Sequence, residues 1–163
     1  MLEDSIMASS VKAGDLAPDF ALDTADGRTI RLSDYREKSE VVLFFYPKDD
    51  SPGCTAEACS FRDSHEDFLD AGAVVIGVSS DNAGDHQAFA GKHRLPFPLL
   101  TDAKGSLRTL YGVPKTLGLI PGRVTYLIDR NGVVRHIYSS QLRPVSHVKE
   151  ALQALQSIRA GNG

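Results

Sequence analysis

Residues 41–59 read VVLFFYPKDDSPGCTAEAC. The first half decides the fold and the second half carries the chemistry. Val41 to Pro47 is an unbroken apolar run rich in β-formers, the pattern of a central strand buried on both faces. Pro47 ends it, because a prolyl nitrogen cannot donate to a sheet ladder. From Cys54 to Ala71 the spacing turns helical: Cys54, Ala58, Phe61, His65 and Phe68 recur at threes and fours on one stripe, and Gly72 is a natural C-cap. A strand ending at a Pro-Gly turn and followed by a helix places Cys54 in the first helical turn, at the strand end where α/β proteins build their sites.

Working outward, "AVVIGVSSD" (Ala73 to Asp81) is a second buried strand. "DHQAFAGKHRL" (Asp85 to Leu95) is a helix stopped by Pro96. "PLLTD" is a short strand and "GSLRTLYGV" a short helix. "RVTYLID" and "VVRHIYS" flank Arg130-Asn131-Gly132, whose Asn-Gly is a strong hairpin signal. Val145 to Ile158 reads as an amphipathic closing helix with Val148, Leu152 and Leu155 on one face. Before the central strand, Asp19 to Leu32 reads as two short strands around Ala25-Asp26-Gly27. A right-handed crossover makes the strands at 41–47 and 73–79 parallel, and the Asn-Gly hairpin adds an antiparallel edge. The expectation is an α/β, thioredoxin-like fold: a mixed central sheet flanked by helices, with an N-terminal β-hairpin extension.

The chain has 163 residues, 42% hydrophobic and 24% charged, which fits a single domain with a real core. Residues 11–160 are expected to form it, and residues 1–10 to be a disordered tail or an expression remnant. The net charge of -3 gives no reason to expect nucleic acid or an anionic membrane as partner. No apolar run approaches a membrane span, and "MLEDSIMASS" lacks the basic and apolar regions of a signal peptide.

The chain's two cysteines, Cys54 and Cys59, are too few for a disulfide-built fold, so the pair reads as a redox or metal site. Metal is disfavoured. Zinc needs four ligands, and His65 is the one candidate nearby; on the apolar stripe a core histidine is the simpler reading. His86, His93, His136 and His147 fall in helical or strand-edge contexts with no motif. A helix N-terminus favours a thiolate, the nucleophilic form, yet a buried cysteine on an apolar stripe also simply fills space. Stripe position leaves both readings open. Ser51 offers a hydroxyl donor three residues before the thiol, Gly53 a close backbone approach, and Pro47 a stiff loop without an N–H. Arg123, heading its strand, offers a fixed positive charge at the same end of the sheet; a solvated edge arginine is the plainer reading. On an intact helix the C-x4-C spacing puts the two Cα atoms about 8.6 Å apart, beyond the ~7 Å reach of a disulfide. A bond between them requires the first turns to unwind, which suits a cycle with two conformations better than a staple.

"FFYPKDDSPGCTAEACSFRD" resembles the active-site segment of the peroxiredoxins, in the bacterioferritin comigratory protein and PrxQ subfamily. The pattern P-x3-[TS]-x2-C is met by Pro47, Ser51 and Cys54, with Ser51 standing where threonine is more usual. The family's arginine matches Arg123 in "GRVTYLID", and its resolving cysteine matches Cys59. "VPKTLGLIPGR" is similar to plant and cyanobacterial PrxQ, and the similarity runs from about Val11 to Leu155. The resemblance implies a thioredoxin-dependent peroxidase that reduces hydrogen peroxide and organic hydroperoxides. It implies a Cys54 sulfenic acid and then a Cys54–Cys59 disulfide. It implies Arg123, Ser51 and Pro47 as catalytic surroundings, and no metal or cofactor. Glu57, one turn after Cys54, is expected either to orient Arg123 or to be an ordinary first-turn glutamate. An intramolecular resolving cysteine favours a monomer. The compartment expected is the cytoplasm, or the chloroplast for a plant protein, with no transit peptide visible here. The competing readings are a thioredoxin-like disulfide reductase, opposed by the lack of CxxC, and a non-catalytic binding domain, opposed by the site constellation.

Overall fold

The computed structural model describes residues 11–116 and 120–162; the expectation for residues 1–10 lies outside them. A hairpin of β1 (Ala21–Asp23) and β2 (Thr29–Arg31) leads into a 3₁₀ turn, Leu32–Tyr35, and the central strand β3 (Glu40–Phe45). Then come α1 (Pro52–Asp63), α2 (His65–Asp70), β4 (Ala73–Ser79), α3 (Ala83–His93), β5 (Leu99–Thr101) and α4 (Ser106–Tyr111). A two-residue pair, β6 (Lys115–Thr116) and β7 (Ile120–Pro121), precedes the hairpin β8 (Val124–Ile128) and β9 (Val134–Ser139), and α5 (Ser146–Asn162) closes the chain. The main sheet runs β5-β4-β3-β8-β9. β3, β4 and β5 are parallel and β8 and β9 antiparallel, the mixed sheet expected from the crossover and the Asn-Gly hairpin.

All six residues of β3 are buried: the apolar run 41–45 as its composition requires, and Glu40 at its start, whose carboxylate is paired with Arg130 and Arg159. Their alternation sorts them to two cores. Val41, Leu43 and Phe45 join Leu107, Tyr111 and Tyr126 beneath the N-terminal hairpin and α4. Val42, Phe44 and Tyr46 join Cys54, Ala58, Phe61, Phe68, Phe89 and Leu155 beneath α1, α2, α3 and α5. Gly77 in β4 is small for a packing reason. A Cβ there would meet Leu99 Cδ2 at 2.8 Å and the Phe44 ring at 2.9 Å.

The helix expected from Cys54 to Ala71 is two helices. The break falls at Ser64 (φ -101°, ψ 9°), whose N–H turns back to the Ser60 and Arg62 carbonyls. Ser64-His65-Glu66-Asp67 carries a helix-start signature, with two acids in the first turn of α2. A new helix can start there while Phe61 and Phe68 stay in one core, their rings 5.6 Å apart. The pair β6 and β7 was not anticipated. Leu152, expected on the buried face of α5, is half-exposed; Ala151 takes the inner position with Val148 and Leu155.

Candidate active site

Register builds the site. β3 and β8 pair antiparallel with Phe45 opposite Val124, so the end of β3 meets the beginning of β8. Val124 also pairs with Ser139 at the end of β9. The loop after β3, Arg123 just before β8, and the segment 140–145 after β9 therefore meet at one edge. α1 starts in this corner: Ser51 is its N-cap in extended conformation and Pro52 occupies its first turn. A proline suits that position because its missing N–H has no helical partner there.

Cys54 is buried, 1% exposed, in that first turn. Nη1 of Arg123 lies 3.5 Å from Cys54 Sγ and 2.7 Å from Glu57 Oε1. Arg123 Nε reaches the Gln141 carbonyl at 3.4 Å. The guanidinium is thus held from two sides and set against the sulfur. Gly53 makes room for it: a Cβ at Gly53 would meet Arg123 Nη2 at 2.9 Å. Among the readings weighed for Glu57, its geometry is that of an orienting residue, fully buried and bonded to Arg123. Burial pushes its carboxyl up to about 8 even against the opposing pull of Arg123. Arg123 is raised above its usual value: its own burial opposes the charge, and Glu57 and Cys54 beside it outweigh that.

The loop before α1 is latched to α3. Asp49 Oδ1 accepts from the Tyr46 hydroxyl at 2.6 Å, and Oδ2 lies 2.6 Å from His86 Nδ1. Asp49 N–H donates to Asp81 Oδ2, which also accepts from Ser79. Asp49, Asp81 and His86 lie close enough to hold a cation, but both Asp49 oxygens, Asp81 Oδ2 and His86 Nδ1 are already engaged in these hydrogen bonds. Asp50 has a left-handed φ of 61°, a conformation aspartate tolerates, with its carboxylate 3.3 Å from Lys92 Nζ. Ser51 Oγ donates to the Lys48 carbonyl at 2.9 Å, not toward the thiol, leaving its oxygen lone pairs unassigned. Pro47 is half-buried where the strand ends.

Cys59 is half-buried on the same unbroken helix as Cys54, and both thiols are free. His65 is half-buried in α2, 6.3 Å from the Phe97 ring. The sequence reading missed His147. It is fully buried, with Nε2 at 2.9 Å from the Ser140 carbonyl, Nδ1 at 2.8 Å from Thr125 Oγ1, and Nδ1 at 3.6 Å from Glu57 Oε2. The signal was its spacing of four from Ala151 and eight from Leu155, both buried.

The AhpC/TSA family profile matches residues 13–137. A chloroplastic peroxiredoxin Q of Triticum aestivum is 48% identical over 154 residues, covering 94% of this chain and 70% of that protein. The crystal structure of peroxidoxin BcpB from Mycobacterium tuberculosis superposes with a TM-score of 0.84 at 38% identity, covering 91% of this chain and 98% of that one. A structure of the Xanthomonas campestris bacterioferritin comigratory protein, studied for alkyl peroxide reduction, gives a TM-score of 0.81 at 28% identity over 91% of this chain and 97% of that one.

Proposed function

This chain belongs to the AhpC/TSA family, and from that premise we propose how its own residues carry out the chemistry of a thiol-dependent peroxidase. The chain is an oxidoreductase of the peroxiredoxin Q kind. Cys54 is the thiol that meets the peroxide. Its thiolate attacks one oxygen of the O–O bond; the S–O bond forms as the O–O bond breaks, and Cys54 becomes a sulfenic acid. The other oxygen leaves with the electron pair and takes up a proton to become water or an alcohol. Arg123 stabilises negative charge first on sulfur and then on the leaving oxygen. Glu57 and the Gln141 carbonyl hold the guanidinium there. The N–H groups of the first turn of α1 lack helical partners and add to the same field. Ser51 supplies a hydroxyl at the mouth of the site, and Pro47 caps the strand beside it.

Cys59 then condenses with the sulfenic acid, releasing water and forming a Cys54–Cys59 disulfide. Since α1 spans both residues, about 8.6 Å of Cα separation must close, so its first turns unwind at this step. A thioredoxin-type dithiol reduces the disulfide by exchange. No step requires a metal or organic cofactor or a second copy of the chain, so the working unit is a monomer. The compartment is the cytoplasm, or the plastid in a plant.

The observation that carries this reading is the Arg123 guanidinium, fixed by Glu57 and set 3.5 Å from a thiol in the first turn of a helix. The test is NADPH consumption coupled through thioredoxin, with hydrogen peroxide and an alkyl hydroperoxide as substrates. Turnover that vanishes in Cys54→Ser supports it. Disulfide reduction without peroxide turnover would favour the reductase reading instead.

A further inference from the structure

His147 touches the thiol site from behind. Its Nε2 faces the Ser140 carbonyl at 2.9 Å. A carbonyl only accepts, so Nε2 carries a hydrogen and Nδ1 is the nitrogen whose protonation can vary. Nδ1 faces two oxygens, Thr125 Oγ1 at 2.8 Å and Glu57 Oε2 at 3.6 Å. Glu57 Oε2 has no hydrogen-bond partner among the described residues, although it is fully buried. A bare carboxylate oxygen in such a place is costly. A proton on it, or on the imidazole facing it, removes that cost.

We propose that His147 is a positioning residue for the thiol site: it and Glu57 hold one proton between them, so that Glu57 orients Arg123 without cancelling its charge at Cys54. The inference rests on the roles of Cys54 and Arg123 given above. The proton has two homes. Either Oε2 carries it and points it at Nδ1, or a carboxylate faces an imidazolium. In both, Arg123, Glu57 and His147 together carry one positive charge. Loss of the proton brings that sum to zero and weakens the attraction for the departing oxygen. Burial favours the first home, raising Glu57 to about 8 and lowering His147 to about 4. The other groups facing this pair are Arg123 and Thr125 at the start of β8, Cys54 across the guanidinium on α1, and Tyr138 of β9, whose ring stands edge-on at 4.7 Å. Glu150, further along α5, also exerts a raising pull on His147 while lying 3.2 Å from His136 of β9; Glu57 is the acid within reach of Nδ1.

The test uses the full chain carrying Cys59→Ser, so that Cys54 is its sole thiol. Stopped-flow rate constants with hydrogen peroxide are measured across the pH range. The rate is expected to fall above about pH 8, where Glu57 loses its proton. His147→Gln keeps a donor for Ser140 and an acceptor for Thr125 but is a much weaker base. It is expected to move the fall about one pH unit lower, making the rate at the original break roughly fivefold smaller. Glu57→Gln is expected to remove the fall. A break at the same pH in His147→Gln, with rates merely lower throughout, would assign His147 a structural role and overturn the proposal, as would a wild-type rate that does not fall. The imidazole ¹⁵N resonances give a readout independent of turnover. Nε2 should stay protonated while Nδ1 shifts over the same pH range, and Glu57→Gln should abolish that shift. If Cys54 ignores peroxide but Nδ1 still follows Glu57, the assigned function fails and the shared proton stands. An unmoving Nδ1 resonance overturns the shared proton whatever the kinetics.

Discussion

His86 and His147 are both fully buried, one on each side of the segment that carries Cys54, and their surroundings differ in one respect. Around His86 every partner is satisfied: Nε2 meets the Leu100 carbonyl at 3.1 Å, Nδ1 meets Asp49, and the second oxygen of Asp49 holds Tyr46. Around His147 one carboxylate oxygen, Glu57 Oε2, is left over. Buried polar groups are nearly always paired, so the complete network reads as a latch, and the unpaired oxygen beside His147 is where the shared proton is proposed to sit. The latch fixes the loop from Pro47 to Ser51 against α3. The incomplete network sits behind the arginine that faces the thiol. Rigidity on one side lets the other side do chemistry without losing its geometry.

Variants can break that contrast. The largest effect expected is from Cys54→Ser, which should abolish peroxide consumption while leaving circular dichroism and melting cooperativity intact; residual thioredoxin-dependent turnover would refute the assignment. Arg123→Met comes next. Losing its fixed charge should slow oxidation of Cys54 by about 10²–10³-fold in single-turnover experiments, the scale of removing one oxyanion donor. Its melting temperature near neutral pH should change little, because Glu57 left alone keeps its proton. His86→Leu should do the reverse. It strands Asp49 in the interior at about 3–5 kcal/mol, so the melting temperature should drop by many degrees, while the single-turnover rate well below melting should stay within severalfold of wild type. A collapse of activity larger than the loss of stability would show that the latch takes part in the chemistry.

A smaller effect follows from proton linkage. Folded Glu57 keeps its proton to about 8, against an ordinary value of 4.5. Between those values the folded state binds more protons than the unfolded chain, so stability falls as pH rises. His147 acts oppositely: its value falls from 6.5 to about 4, so its contribution is lost as pH drops below 6.5. From pH 6.5 to 8 Glu57 acts without its neighbour. Stability there should decline by up to about 1.4 kcal/mol per pH unit, and Glu57→Gln should flatten the decline in calorimetry. The smallest effect is reserved for Ser51→Thr, which keeps the hydroxyl that donates to Lys48 and should alter neither rate nor melting beyond error.

The two sides were not equally legible in the sequence. β3 could be read because burial on both faces leaves an unbroken apolar run from Val41 to Phe45, and Pro47, Ser51 and Cys54 could be read because they lie close in sequence. Arg123 was placed at the right end by its strand, and Glu57 one turn after Cys54 was among the readings for what orients it; Gln141, which acts through a backbone carbonyl, and His147, which meets Glu57 only where α1, β8, β9 and α5 converge, could not be read. The latch was hidden for the same reason, with Asp49 and His86 on different elements. The break at Ser64 was overlooked because the apolar spacing continues through it; its helix-start signature was present and outvoted by periodicity.

The central claim is that the site works by opening α1 while the latched loop, α3 and the strands beneath them hold still. Amide hydrogen exchange on reduced protein, and on protein oxidised with one equivalent of peroxide, tests it most directly, with the Cys54–Cys59 bond verified by mass spectrometry. The prediction is loss of protection from Thr55 to Arg62 on oxidation, with α3, β3 and β4 unchanged. Equal protection of α1 in both states, with the disulfide present, would contradict it.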